Sequence, residues 1–391
     1  MNITRRILAL LLVLSAPLVL FSSAQTTKIA AAKSQYLVYV GTYTTKTNSK
    51  GIYVYRFDAA SGKLTAGTVA AESADPSFVA VHSNGKFLYA VNEAGKSSMV
   101  SAFSLEPKSG ILTLLNQLPA LGEDPCYLSF DRTGKYVFVA NYTSGNVVVF
   151  PIGSDGKLGA ATGNVHDDGK LGPNKGRQDG PHAHWIETSP DNRFVISVDL
   201  GLDEIVVHGF DAATGSLTLN GHQYVNQFKL RAGSGPRHLA FSPDGRWAFV
   251  VNELASTVTW FIYDPLRGAF LEITTVSTLP KRFSSRNDTA EIAVHPSGKF
   301  LYASNRGHES IAIFSIDPPK GKLRFVAHVS TGGKEPRHFA IDPTGKFLLA
   351  ENQLSNNIVV FKIDPETGGL TPTGQVVDVP SPVCIAFLPA E

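Results

Sequence analysis

One pattern recurs from end to end of this 391-residue chain: a Pro, a short apolar strand, a Gly-Lys-type turn, a second apolar strand ending in Asn, then a third strand. The copies read "PSFVAVHSNGKFLYAVNE" from Pro76, "PCYLSFDRTGKYVFVANY" from Pro125, "AHWIETSPDNRFVISVDL" from Ala183, "PRHLAFSPDGRWAFVVNE" from Pro236, "TAEIAVHPSGKFLYASNR" from Thr289 and "PRHFAIDPTGKFLLAENQ" from Pro336. A spacing of about 50 residues means one stacked supersecondary unit repeated, rather than several separate domains. Length alone would suggest two domains, and the repeat overrides that prior.

Each copy runs apolar or alternates, rich in Val, Phe, Tyr and Ile, around an Asn-Gly, Asp-Gly or Ser-Gly turn, which is the signature of a hairpin. A third strand follows ("VVVFPI", "TVTWFIYD", "SIAIFSID", "NIVVFKID"), then a Gly turn and a fourth, as in "GKLRFVAHV". Four antiparallel strands per repeat describe a β-propeller blade. The C-terminal "PSPVCIAFLP" reads as a first strand with nothing after it. The segments "YLVYVGTY", "GIYVYRFD" and "GKLTAGTVA" read as second, third and fourth strands with nothing before them. Joined, they make a seventh blade and close the ring, which removes exposed sheet edges. A ring of six or eight would leave half a blade unmatched. The expected fold is therefore all-β, a single seven-bladed propeller over residues 36–391.

The first residues read as an export signal: Arg5 and Arg6, an apolar run from Ile7 to Phe21, and Ser22-Ser23-Ala24 before a cleavage point. The alternative, an uncleaved anchor, needs about 20 apolar residues, and the run is shorter. No Cys lies near the cleavage point to carry a lipid. Residues 25–35 would form a flexible lead-in, and the protein is expected in the periplasm or outside the cell. Removing residues 1–24 takes away two Arg and no acid, leaving Lys+Arg and Asp+Glu equal at 33 each. A neutral chain without basic runs has no electrostatic footprint for nucleic acid or anionic membrane, which points to a small-molecule or protein partner. Two cysteines, Cys126 and Cys384, do not make a disulfide framework; whether they pair depends on their distance.

In a propeller the first strand of each blade lines the channel and the second runs back beside it. Residues just after each Pro position and just after each strand-two Asn therefore gather at one mouth. One past the Pro position, the chain gives Ser77, Cys126, His184, Arg237, Ala290, Arg337 and Val383. The next residues are Phe78, Tyr127, Trp185, His238, Glu291, His338 and Cys384. The strand-two ends add Glu93, Tyr142, Asp199, Glu253, Arg306 and Glu351 or Asn352. Stacking blades requires no unlike charges at equivalent positions, so Arg237, Arg337, His184 and Glu253 read as functional. The recurrent Asn (Asn92, Asn141, Asn252, Asn305, Asn352) reads as structural because it repeats. An insertion between Leu158 and His184, "GPNKGRQDGPHAHW", delivers Arg177, His182 and His184 to the same mouth; loops on rigid scaffolds carry sites.

The segments "GPNKGRQDGPHAH", "GPRHLAFSPDGR", "AEIAVHPSGKFLYASNRGHESIAIF", "DPTGKFLLAENQ" and "VPSPVCIAFLP" resemble the lactonase family of seven-bladed propellers, which includes propeller-type 6-phosphogluconolactonases and the fungal carboxy-cis,cis-muconate cyclases. The resemblance covers nearly the whole chain after residue 24. It implies an enzyme that opens, or in reverse closes, a lactone ring, with His184, Arg237, Glu253 and Arg337 as catalytic residues. Arg177, His182 and Arg306 would lie nearby, and with the mouth residues His238, Glu291 and His338 they are expected to bind substrate. Two positions depart from the family pattern: Glu204, where a basic residue is expected, and Glu351, where a small one is. No cofactor or metal motif is present. Calcium in other lactonase propellers nevertheless leaves a channel ion on Glu253, Glu291 or Asp199 open. A different class, an exported propeller that binds without catalysis, would lack the Arg-Gln loop and the two Pro-Arg-His motifs. Electron transfer finds no haem or quinone-type cysteine motif.

Overall fold

Seven antiparallel sheets follow one another along the chain in a computed structural model that describes residues 34–65, 67–219, 227–317, 319 and 322–390. The expected export signal lies outside the described residues. Gln35, placed by the sequence in a flexible lead-in, already pairs with Asp58. Blade 1 is composite: its innermost strand, Pro382–Pro389, runs antiparallel to Gln35–Thr42, with Val38 opposite Phe387 and Val40 opposite Ile385. The innermost strands of blades 2 to 7 are Phe78–Val81, Pro125–Phe130, Ala183–Thr188, Pro236–Phe241, Asp288–Val294 and Pro336–Ile341. Each touches the next, and Pro382–Pro389 touches those of blades 7 and 2, so the ring is closed.

The core is divided accordingly into seven apolar clusters, one at each blade-to-blade interface. Period-two alternation gives each strand two faces, and here both are apolar because both meet a neighbouring blade. Leu88, Phe138, Phe249 and Leu348 are completely buried, each contributing about 1.5–3 kcal/mol.

Polar staples set the register between blades. The strand-two tyrosines Tyr39, Tyr89 and Tyr302 donate to the carbonyls of Gly110, Gly156 and Gly368 in the following blade, at 3.0, 2.8 and 2.8 Å. Those glycines have φ of 78°, 82° and 72°, a region L side chains rarely enter. The first hairpin turn has its own device. Asp131 accepts from the amides of Thr133, Lys135 and Tyr136, and Asp342 does the same in blade 7. His82 and His295 at the equivalent position instead bond, through Nε2, the carbonyls of Gly134 and Gly345 one blade on.

The recurrent Asn has a structural duty. Asn92, Asn141, Asn305 and Asn352 each donate to a carbonyl of the segment arriving from the previous blade (Ala74, Ala120, Thr278, Thr331). Asn252 instead bonds Thr257 and Thr259. Asp199 occupies this Asn position in blade 4, opposite Ala183 as Asn141 is opposite Pro125. It is therefore no mouth residue: its Oδ1 accepts from the amides of His182 and Leu202.

Candidate active site

A repeated irregularity aims the mouth residues. In blade 3 the pairing runs from Pro125–Asn141 to Tyr127–Ala140 and leaves Cys126 without a partner; His184, Arg237, Arg337 and Val383 are left out in the same way in blades 4, 5, 7 and 1. In blade 6 the break takes in Ala290 and Glu291. A bulge bends its strand and redirects the extra side chain. In these six blades the residue after the Pro position is thus freed from the alternating pattern and turned toward the channel mouth.

On one side of that mouth, three guanidiniums converge on Glu253. Arg306 Nη2 lies 2.8 Å and Arg237 Nε 3.2 Å from its Oε2, while Arg177 Nη2 contacts Oε1. Arg237 and Arg306 are also tied to carbonyls, of Ala290 at 2.7 Å and of Asp288 at 3.2 Å. Burial opposes ionisation of Glu253, but Arg306, Arg237 and Arg177 outweigh it and hold the carboxyl down to about 2. Arg237 is pushed down to about 10 by burial and by the charges of Arg306 and Arg337. Both oxygens of Glu253 are taken by arginines, so the group is a fixed anion that orients its neighbours.

Across the mouth, Arg337 forms no hydrogen bond or ion pair among the described residues. Its guanidinium lies 5.4 Å from the Tyr43 ring centroid, and Tyr43 donates to Glu93 Oε2 at 2.7 Å. Arg337, Arg237, Glu93, Cys126 and Ser77 line a small inner cavity, with Phe78, His238, Glu291, His338 and Val383 below. His184 stands beside it, its Nδ1 3.6 Å from Cys126 Sγ and its ring 5.2 Å from that of His238. Its Nε2 bonds no described residue. Burial and the nearby charges of Arg237, His238 and Arg337 hold His184 well below the ordinary imidazole value, so the ring is neutral.

His238, Glu291 and His338, expected beside a substrate, form the layer beneath. Glu291 Oε2 is 3.1 Å from His238 Nδ1 and 3.4 Å from His338 Nε2, and His338 Nδ1 is 3.3 Å from Glu351. The acid at 351 thus points down to a histidine, and Gln353 is the blade 7 counterpart of Glu253. Glu204 is also off the mouth, buried against Lys229 and paired with Asp199 across strands.

The insertion is shorter than the sequence suggests, because Gly163–His166 forms the outer strand of blade 3 and leaves Asp167–His182 as the loop. Gln178 fastens it, donating to Leu200 O and Asp203 Oδ1 at 2.9 Å each. At Gly201 a Cβ would sit 1.8 Å from Gly180 O, so only glycine allows the close approach. His182 anchors the loop: its ring stacks on Tyr142 at 4.5 Å, and its nitrogens meet Tyr142 O and Asp179. Arg177 alone of this loop reaches the clamp. Tyr43, missed in the sequence, had a signal: "VGTY" ends strand two of the composite blade as "AVNE" does in blade 2.

The open question on the cysteines is answered by geometry. Cys126 and Cys384 are buried, separate thiols; Cys384 Sγ lies against Val79. No cluster of three His, Cys, Asp or Glu suited to a metal ion occurs among the described residues. Glu253 is wrapped by arginines, Glu291 by histidines and Asp199 by amides, so the three do not fit a shared calcium.

A closed ring with arginines, a buried carboxylate and a neutral histidine at one mouth defines a propeller whose polar mouth receives a small molecule. The chain belongs to the lactonase family of seven-bladed propellers: residues 37–387 match the family described as "Lactonase, 7-bladed beta-propeller". It is 40% identical over 355 residues to 6-phosphogluconolactonase of Bacillus subtilis, covering 91% of this chain and 99% of that one. It is 36% identical to 6-phosphogluconolactonase of Formosa agariphila, over 77% of this chain and 85% of that one. The solved structure of the periplasmic gluconolactonase PpgL of Pseudomonas aeruginosa superposes with a TM-score of 0.85 at 34% identity, over 92% and 100% of the two chains. The function is lactonase-like, on a small-molecule substrate.

Proposed function

We propose that the protein hydrolyses an unphosphorylated sugar-derived or carboxylated lactone outside the cytoplasm, at the mouth formed by Arg337, His184 and the Glu253 clamp. The observation that carries this reading is the single unpaired guanidinium. Three of the four mouth arginines spend their charge on Glu253, leaving Arg337 to grip one carboxylate or polarise one carbonyl. A phosphate dianion would want more cationic charge than one guanidinium supplies. The export-signal pattern of residues 1–24 supports the same reading, because phosphorylated sugars are metabolites of the cytoplasm.

Neutral His184 is the general base. Its Nε2 takes a proton from water, and the resulting hydroxide adds to the lactone carbonyl carbon while Arg337 stabilises the oxyanion. The ring C–O bond then breaks, and the leaving alkoxide recovers the proton from His184, giving the open hydroxy acid. Glu253 keeps the guanidiniums in place throughout. The test is hydrolysis of a panel of sugar and dicarboxylic lactones, with and without a phosphate group, by the purified protein beside His184→Ala and Arg337→Ala. Turnover of an unphosphorylated lactone, lost in both variants, is expected. Preference for the phosphorylated lactone sinks the substrate assignment, and no turnover by folded protein leaves a binding propeller. Cell fractionation and N-terminal sequencing check export.

A further inference from the structure

The layer under the inner cavity contains more titratable groups than the proposed chemistry uses. Reading across the channel, Glu351, His338, Glu291 and His238 make an unbroken chain at 3.3, 3.4 and 3.1 Å, and all four side chains are nearly out of solvent. His238 Nδ1 lies 3.1 Å from Glu291 Oε2 and so carries a hydrogen toward that carboxylate, leaving Nε2 as the basic nitrogen; Arg237 Nη1 lies 3.4 and 3.2 Å from the two ring nitrogens alike. Glu291 has a further property. It lines both the inner cavity and a larger, open cavity at the opposite mouth, bordered by Tyr127, Arg132, Trp185 and Glu187. It is the residue that these two spaces share.

We propose that His238 and Glu291, held in place by His338 and Glu351, form a proton path from the site to the opposite mouth of the channel. The inference rests on the hydrolytic reading, in which each turnover makes a carboxylic acid that must lose a proton to solvent. A proton taken up at His238 Nε2 is matched by loss of the Nδ1 proton to Glu291, which releases it to water in the far cavity; no bond other than N–H and O–H changes. The His338–Glu351 pair holds Glu291 from its other side, with Glu351 acting through His338 as a positioning residue. Charged and titratable groups facing the chain from the elements packed against it are Arg237, Arg337, His184, Tyr127, Glu187 and Cys384. Burial counts against ionisation of Glu291, yet His238, His338 and Arg237 hold it to about 2. Glu187 beyond it is raised to about 6, chiefly by burial, an ordering that suits a proton leaving toward the far mouth.

The test compares wild type with Glu291→Gln and Glu351→Gln in weak and strong buffer. Glu291→Gln is expected to lower kcat about tenfold or more in weak buffer, with KM unchanged and with recovery on adding imidazole as a diffusible proton acceptor. Glu351→Gln is expected to move the pH profile with a smaller loss. A full kcat in weak buffer, or a loss that no buffer restores, overturns the path. Histidine ¹⁵N NMR reads the chain without turnover. His238 and His338 should titrate as a coupled pair in wild type and separately in Glu291→Gln; independent titration in wild type overturns the proposal. A wild type inert toward every lactone overturns the hydrolytic reading, and the NMR result still decides whether the chain is coupled.

Discussion

Arg237 and Arg337 occupy equivalent bulge positions in two blades, within the same Pro-Arg-His triplet, and finish with opposite fates. Arg237 is buried against Glu253, its guanidinium committed. Arg337 has an aromatic ring beside it and no anion within ion-pair distance among the described residues. The cause lies at the end of strand two, where blade 5 continues Asn252-Glu253 and blade 7 continues Asn352-Gln353. The histidines diverge for a similar reason. The register sets His238 opposite Val251 but His338 opposite Glu351, so one histidine has its cross-strand neighbour as a partner and the other must find Glu291. One substitution per blade, at a fixed place in the repeat, turns a structural arginine into a binding one.

That contrast can be broken most severely at the clamp. Glu253→Gln leaves buried guanidiniums facing one another, and removing one partner of a buried pair costs about 3–5 kcal/mol; the urea midpoint should fall accordingly. The pH dependence has a defined sign. The folded carboxyl is held at about 2, below its ordinary value of 4.5. Its contribution is therefore complete above the ordinary carboxylate range and lost as pH falls from there toward 2. The gap between wild type and variant should narrow only in that acid window. Arg337→Ala, by contrast, should leave the midpoint nearly unchanged while lowering kcat/KM about 10²–10³-fold, the usual loss of one oxyanion donor.

A transplant sharpens the comparison. Gln353→Glu gives blade 7 the acid of blade 5 and should pair Arg337, raising KM about tenfold or more through competition for a charged hydrogen bond, with a small gain in thermal midpoint. The reverse transplant, Glu351→Val, gives His338 the neighbour that His238 has. Burial counts against protonation of His338, while Glu351 and Glu291 raise it above the ordinary value. The stability this supplies is complete below the ordinary imidazole value and lost as pH rises through the folded one. Losing Glu351 should therefore lower the His338 titration midpoint by NMR and flatten this neutral-pH dependence, the smallest of the four effects.

The number of blades and the composite closure were legible in the sequence because each depends on periodicity, and periodicity survives in one dimension. What resisted was pairing. Asp199 looked like a mouth acid, but it stands in the Asn position of blade 4, where the amides of His182 and Leu202 claim its Oδ1. Glu253 read as a catalytic residue until three arginines, one from its own blade, one from blade 6 and one from the loop, met on it. No spacing in the chain announces that Arg177, Arg237 and Arg306 share one carboxylate. Glu351 was visible as a departure, yet its direction depends on strand register, which places it beneath the mouth rather than at its rim.

The composite blade has a consequence for biogenesis. Thr42 meets Pro382 across the closing seam, so the inner edge of the first-made blade waits for about 340 residues of synthesis, tens of seconds at ordinary elongation rates. Throughout that interval the strand Gln35–Thr42 presents bare amides and carbonyls to any passing chain. Deleting Pro382–Pro389 should therefore show itself first as insoluble protein in the expressing cell, before any assay of the mouth is reached.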